Sequence, residues 1–458
     1  GAEKLEEEPF SPQMRRNIVR IRLNGVQYLI TRGAPEEVMQ VCVGLSEEEK
    51  QRIQDWVAAE GRQGHRALAV AKLSIADNSE VKTELKQAYG FEFLGIISFV
   101  DTIKPSTFTA IHSAKELGVR VIMLTGDSRE VAGAVAYEIG LVDSPDRVLF
   151  GSEWEALPVE ERRKALETYN VFCRVSPEQK FKLVSALHET KMVGFLGEGI
   201  NDAPALKVAG VSLVVQSAAD IAREVSDIIL TEPGLQVIVE GIREGRRVFA
   251  NTIKYIKATL ISNFGNFFAI AVSSFLIDFL PMLPIQILLV NLLSDTPMIS
   301  ISSDTADPDE LNNPNKYEVK EITLMAVILG VVSTVFDFLF FGLFYRISPG
   351  VLQTNWFIGS ILTELTLIFS VRTRKPFYQA SRPSTSLLVL SILAASLTVI
   401  IPMTGLGKKV FQFVPPTTQH LLLIFGLVSA YFLISESVKN LFYRSINPIK
   451  KQEPQIAK

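Results

Sequence analysis

Cysteine is nearly absent from this sequence. Cys42 and Cys173 stand far apart among 458 residues, which excludes a disulfide framework and a cysteine-built zinc site. Both read as ordinary buried thiols. A charge excess of either sign is missing too. The formal net charge is -3, and nothing in that balance points to nucleic acid as a partner. The opening stretch GAEKLEEEPF lacks a basic segment followed by an apolar one, so it does not read as a secretory signal. Long apolar runs are absent from roughly the first 255 residues and dominate after that point. The mean hydropathy of +0.25 is therefore an average over two unlike halves, and the length allows several domains.

The polar half begins with a small mixed segment, residues 1–90. Residues 17–23 and 26–31 read as strands joined at Asn24-Gly25, a strong hairpin signal. A short helix is expected from Glu36, and a charged amphipathic one over 47–60. His65 reads as structural. Residues 91–230 have another rhythm. Short apolar strands near 93–99, 119–124, 171–174, 192–196 and 211–215 alternate with helices, which predicts a parallel sheet covered by helices on both faces.

Polar residues recur where those strands stop: Asp101, Thr125, Asp127, Glu198 and Asp202. The carboxyl ends of strands in open α/β sheets are where ligand sites form. One such residue alone reads as a helix cap; several at one edge point to a shared site. Thr125 is suited to donate to a phosphoryl oxygen, Lys180 to neutralise developing negative charge, and the acids to hold Mg²⁺. In the stretch GEGIND at 197–202, Gly197 and Gly199 are expected to let the chain turn tightly. Two readings of Glu198, Asn201 and Asp202 stand at this point: a hard-cation site, or a glycine-rich turn with solvated acids.

Six apolar stretches follow, near 259–280, 283–302, 321–345, 355–371, 385–403 and 418–436. Several reach the ~20 residues a bilayer span needs. The fourth is the weakest signal, because Glu364 interrupts it. Basic residues gather before the first span, between the second and third, between the fourth and fifth, and after the sixth. With six spans these groups fall on one side, which places both termini in the cytosol. Within the spans, Asn263 and Asn266 share a helix face, as do Asn291, Ser294 and Asp295. Glu364 and Asp337 are further acids at membrane depth, where acids mark ion paths or bundle interiors. Pro297 is expected to unwind its helix locally and free carbonyls for a cation. The plainer alternative is helix–helix hydrogen bonding by the amides and a structural Asp337.

These motifs together resemble the C-terminal half of a P-type cation-transporting ATPase. The residues that carry the resemblance are TGD at 125–127, CRVSPEQK at 173–180, GEGINDAPAL at 197–206, EGRRVFANTIKYIK at 244–257 and NLLSD at 291–295. Within the family the chain looks most like the bacterial magnesium-transporting branch, through KYIKATLISNFGNFF, FLPMLPIQILLVNLLSD and WFIGSILTELTLIFSVRTRKPF. The resemblance implies an α/β cytosolic part joined to a bundle of six transmembrane helices. That part would comprise a partial nucleotide-binding domain at 1–90 and a haloacid-dehalogenase-like, Rossmannoid phosphorylation domain at 91–245. The bundle would occupy 246–446 and a cytosolic tail 447–458. It further implies ATP and Mg²⁺ as cofactors, a divalent cation such as Mg²⁺ (or else Ca²⁺ or H⁺) as cargo, and the cell membrane as location. Thr125, Gly126, Asp127, Lys180, Arg174, Asn201 and Asp202 would form the phosphoryl site, with Glu198 and Asp202 at its Mg²⁺. Phe10, Arg32 and Arg66 would serve the nucleotide. Asn263, Asn266, Asn291, Asp295 and Glu364 would hold the transported cation.

Three departures from the family's pattern stand out. Position 198 is Glu where the family's GDGINDAP has the Mg²⁺-binding Asp, and RGAPE at 32–36 replaces a KGAPE-like motif. No DKTG occurs in the sequence, so the family's phosphate-accepting aspartate and the strand that bears it are missing. A chain without them is expected not to turn over alone. It would need an upstream half with that segment, the actuator domain and four further spans. A non-catalytic membrane partner or degenerate pump remnant is the alternative, and six spans argue against a soluble phosphatase.

Overall fold

A computed structural model describes residues 2–10, 14–75, 85, 88–314 and 316–450, with side chains placed as far as 445. Of the expected tail, 451–458 lies outside the described residues. The chain divides into two compact units, Gly1–Glu240 and Gly241–Lys458.

The first unit opens with a six-stranded sheet: β1 (Glu3–Glu8), β2 (Arg16–Leu23), β3 (Val26–Gly33), β4 (Cys42–Val43), β5 (Arg66–Ile75) and β6 (Phe91–Phe99), ordered β1-β2-β3-β5-β6-β4. The β2–β3 hairpin forms as the sequence demands. Asn24 and Gly25 have φ of 50° and 81°, the two positive values a type I′ turn requires. Helices α1 (Pro35–Val41) and α2 (Glu47–Arg62) accompany this sheet, α2 starting in a capping box between Ser46 and Glu49.

Two expectations about the sheets are corrected. β6 does not open the parallel sheet of the second region; it pairs antiparallel with β5 and belongs to the first sheet. Nor do the other strands make one sheet. β7 (Met123–Leu124), β8 (Leu149–Phe150) and β9 (Val171–Cys173) form one parallel trio, ordered β7-β9-β8. β10 (Gly194–Gly197), β11 (Val211–Val215) and β12 (Ile228–Leu230) form another in sequence order. β7 and β10 are thus both edge strands, and both run directly into candidate site residues. The helices between are α3 (Pro105–Glu116), α4 (Arg129–Glu138), α5 (Gly151–Ala156), α6 (Val159–Thr168), α7 (Pro177–His188), α8 (Ala203–Val208) and α9 (Asp220–Glu224). Separate small cores under the trios hold them, one around Ala136, Val171 and Cys173, another around Leu206 and Val214.

The second unit is helical. Among the described residues six helices are long and apolar enough to cross a bilayer. They are α10 (Leu235–Leu276), α11 (Pro284–Ser300), α13 (Val319–Phe344), α14 (Pro349–Val371), α15 (Thr385–Ile400) and α17 (Thr418–Lys450), with short α12 (Pro308–Asn312) and α16 (Gly405–Lys409) in connections. α14, the weakest span by sequence, is the hub. Its apolar window is 89% buried against 28–44% for the other five, so its polar residues are there because protein, not lipid, surrounds it. Gly265 and Gly330 let α10 and α13 pack closely; a Cβ at Gly265 would meet Ser333 Oγ at 2.7 Å. The expected unwinding at Pro297 is not found. α11 runs through Pro297 to Ser300, whose hydroxyl donates to the Pro297 carbonyl at 2.6 Å.

Candidate functional site

β7 and β9 deliver one group of side chains. Thr125 follows β7, and its Oγ1 donates to Asp127 Oδ2 at 2.9 Å while accepting from the Asp127 N–H at 3.1 Å. Ser128, not Thr125 or Asp127, caps α4. The turn after β9 closes over this pair: Val175 N–H donates to the Thr125 carbonyl and Arg174 N–H to the Asp127 carbonyl. Arg174 pays for that position with a φ of 50°, unusual outside glycine and asparagine. Gly126 is exposed between them.

β10 and α7 deliver the second group. Lys180, in the first turn of α7, places Nζ 2.7 Å from Asp202 Oδ1. Asp202 Oδ2 accepts from the N–H groups of Glu198 and Gly199 at 3.2 and 3.3 Å. Burial alone would raise the Asp202 carboxyl; Lys180 and these two amides outweigh it and hold it below the ordinary carboxylate range. Gly197 matters for space rather than for its dihedral freedom, since a Cβ there would sit 2.9 Å from Asp202 Cβ. Neither Gly197 nor Gly199 has a positive φ, which corrects the expectation of a glycine-driven turn. Asn201 and Glu198 are exposed at the mouth.

Both Asp202 oxygens accept from protein donors, and the pair fixes the Lys180 amine beside the exposed Glu198. A carboxylate beside phosphate oxygens and water fits an octahedral hard cation. Among the described residues no group of three or more His, Cys, Asp or Glu stands ready to hold a metal by itself. Cys173 lies fully buried below the site, and burial pushes its thiol up to about 11, which removes it as a nucleophile.

A pH-dependent test isolates the Lys180–Asp202 pair. An acid whose value is depressed by folding contributes stability above its unfolded value, and that contribution is lost as pH falls through the folded one. Lys180→Met is therefore expected to cost about 2 kcal/mol near neutrality, with the difference from the parent vanishing at acid pH. Denaturant unfolding of the chain across that range checks it; a pH-independent difference would assign Lys180 to packing only.

Arg66 links this region to the first sheet. Its guanidinium donates to Asp101 Oδ2 at 3.2 Å and to Asp127 Oδ2 at 3.0 Å. The Arg174 side chain turns away from the phosphoryl group of residues and pairs with Glu36, which also accepts from Arg15. Glu36 closes the RGAPE stretch, and nothing in the sequence pairs it with Arg174. Arg32 Nε donates to Asn17 Oδ1 at 3.3 Å, and Phe10 is 62% exposed. Neither has a side-chain bond to the strand-end cluster among the described residues.

The bundle holds a buried polar cluster around Glu364. Its Oε1 accepts from Ser262 Oγ and from Asn266 Nδ2, the latter at 2.7 Å, while Oε2 is buried with no partner. Ser360 Oγ reaches Asn266 Oδ1 at 3.5 Å. Of the expected cation residues, the structure joins Asn266 and Glu364 directly. Asn263, Asn291 and Asp295 are exposed on the bundle's flank. Ser262 and Ser360 were missed by sequence, although each stands four residues before a recognised partner on the same helix face.

Residues 279–441 match the family model described as "Cation transporting ATPase, C-terminus", and residues 22–210 match "haloacid dehalogenase-like hydrolase". The chain is 33% identical over 470 residues to the "Magnesium-transporting ATPase, P-type 1" of Escherichia coli K12, covering 96% of this chain and 51% of that protein. It is 34% identical over 461 residues to the protein of the same name in Salmonella typhimurium LT2, again covering 96% and 51%. The "Calcium-transporting ATPase" of Bacillus subtilis is 29% identical, covering 87% of this chain and 47% of that protein. The chain spans about half the length of the curated relatives it matches.

Proposed function

Because the chain belongs to the P-type cation-transporting ATPases, aligning with their C-terminal region, we propose that it supplies the cation-binding bundle and most of the phosphoryl-transfer site of an ATP-driven cation pump, for Mg²⁺ before Ca²⁺, with H⁺ as the monovalent alternative. The Glu364 cluster carries this reading: a buried carboxylate with one oxygen anchored by Ser262 and Asn266 and the other unpartnered, at membrane depth. A hard cation takes such oxygens. The preference for Mg²⁺ rests on the names of the E. coli and Salmonella relatives.

In the complete cycle ATP would stack on Phe10, with Arg32 and Arg66 near its phosphates. Thr125 Oγ1 and the Gly126 N–H would orient the phosphoryl oxygens, and Lys180, aimed by Asp202, would balance their charge. Glu198 would share the Mg²⁺ that accompanies the phosphates, neutralising charge there. The acceptor aspartate would come from outside this sequence, from the rest of a longer chain or from a separate upstream half. Two observations support a missing neighbour. The β7 and β10 edges are unpaired among the described residues, and Asn263, Asn291 and Asp295 would otherwise meet lipid. The clustered basic loops support a topology with both termini in the cytosol.

Phosphoenzyme formation tests this. The chain is placed in membranes with and without a segment that bears DKTG, then given labelled ATP. Acid-stable, hydroxylamine-sensitive label that requires the added segment and responds to Mg²⁺ is the expected result. No label in either case would favour a non-catalytic partner or remnant, and label on this chain alone would overturn the mechanism. In the same assay Glu198→Asp is expected to speed phosphorylation by up to ~100-fold, because roughly 1 Å of misplacement costs that much. An unchanged rate would refute a handicap at Glu198.

A further inference from the structure

Asp337 is a carboxyl that neither site uses. It lies on α13 at membrane depth, 4% exposed. The Trp356 indole N–H donates to its Oδ1 at 2.8 Å, and Oδ2 is buried without a partner. The walls around it are rings. Phe341 meets Trp356 edge-on at 4.8 Å, and Phe336, the preceding residue, meets Tyr431 at 5.3 Å. A metal ion needs several oxygens in its first shell, and this pocket offers one carboxyl among aromatic rings. An unpaired carboxylate in such surroundings is among the costliest groups a membrane protein can bury. One ligand removes that cost while needing no further oxygen, and that ligand is a proton.

We propose that Asp337 is a proton-binding site of the bundle, separate from the Glu364 cation cluster and occupied in the resting protein. Oδ2 forms an O–H bond with a proton taken from solvent, and Oδ1 stays the acceptor of the Trp356 N–H. Trp356 and Glu364 lie eight residues apart on α14, about 12 Å along its axis, so the two acids sit at different depths. Asp337 is nearer the end where α13 stops and α14 begins.

The titratable groups facing Asp337 from the packed helices are few. α17 contributes Tyr431 and, where its first turn packs on Phe344 seven residues further along α13, His420; α14 contributes Glu364 one level away. From Gly265 to Leu276, the stretch of α10 beyond its contact with Ser333, there is no titratable side chain. The nearest cation of α10, Lys257, pairs with Glu321, sixteen residues back on α13 and about 24 Å along it. Of this set only His420 can carry positive charge, and it is bonded to Asn355 and packed edge-on against Phe344, about 10 Å along α13 from Asp337. The assignment concerns the bundle alone and stands whichever ion the complete system moves.

Infrared spectroscopy of the chain in lipid nanodiscs reads this directly. At neutral pH a protonated-carboxyl C=O band is expected that Asp337→Asn removes, that Glu364→Gln leaves in place, and that shifts in Trp356→Phe as the indole donor is lost. A band untouched by Asp337→Asn in folded protein would overturn the proposal. If Asp337→Asn does not fold, Trp356→Phe decides: a shifted band supports the site, and an unshifted one overturns it. A purely structural aspartate, ionised and pinned by Trp356, would give no such band.

Discussion

Arg372→Ala is expected to destabilise the helical bundle by about 3–5 kcal/mol, the usual result of stripping one partner from a buried ion pair. Arg372 follows α14 and is 4% exposed; Asp304 follows α11 and is 1% exposed. The guanidinium grips both carboxylate oxygens, Nε to Oδ2 at 2.9 Å and Nη2 to Oδ1 at 3.1 Å. It also donates to the Ser381 carbonyl and to Thr305 Oγ1. Asp304 in turn accepts from Ser384 N–H at the start of α15. One pair thus ties the ends of three spans. Lys254 cannot take over, because it lies 3.9 Å from Asp304 and its Nζ is engaged by the Thr305 carbonyl at 2.8 Å and Asn251 Oδ1 at 3.2 Å. Unfolding in mixed micelles measures the loss. The double variant Arg372→Met with Asp304→Leu is expected to recover much of it, since replacing both charges removes the unpaired one. A double variant as unstable as the single would assign the effect to the Ser381 and Thr305 contacts instead.

What the sequence discloses here follows from how local each signal is. The Asn24-Gly25 turn was legible because two adjacent residues fix their own dihedrals. The six spans were legible because bilayer thickness sets a length that composition reports. The fate of β6 was not: the mostly apolar stretch at 93–99 carries no mark of which sheet it joins, and the pairing with β5 is decided by tertiary packing. The division of the second region into two trios has the same origin, since strands of two to five residues hold together only through neighbours elsewhere in the chain. Polarity misled at α14. Glu364 weakens that span by composition, yet it is there because α14 is enclosed by other helices. Gly197 and Pro297 each suggested a backbone effect, and each turned out to answer a packing demand or none. The chemistry-bearing residues at strand ends were found because such ends gather ligands in any open sheet. Which residues pair was not legible: Arg174 with Glu36, and Arg66 with Asp101 and Asp127, join segments that no spacing connects.

Glu364→Gln is expected to abolish the cation response of the complete system while leaving the bundle at least as stable. Glutamine keeps an oxygen for Ser262 and Asn266 at the Oε1 position, so the anchor survives. At the position of the unpartnered Oε2 it puts an NH₂ group, which repels a cation where a carboxylate would bind one. Changes in groups that merely support metal ligands cost ~10–100-fold in affinity, and loss of a charged ligand itself is expected to meet or exceed the upper end. Stability moves the other way, because a buried charge lacking a cation is removed. The two readouts together separate the explanations. Loss of Mg²⁺-dependent phosphoenzyme with unfolding unchanged or improved identifies Glu364 as a ligand. Loss of both activity and stability would make it a structural brace between α10 and α14. Retained Mg²⁺ dependence would move the cation site to the exposed flank of Asn263, Asn291 and Asp295, with those groups completed by helices outside this sequence.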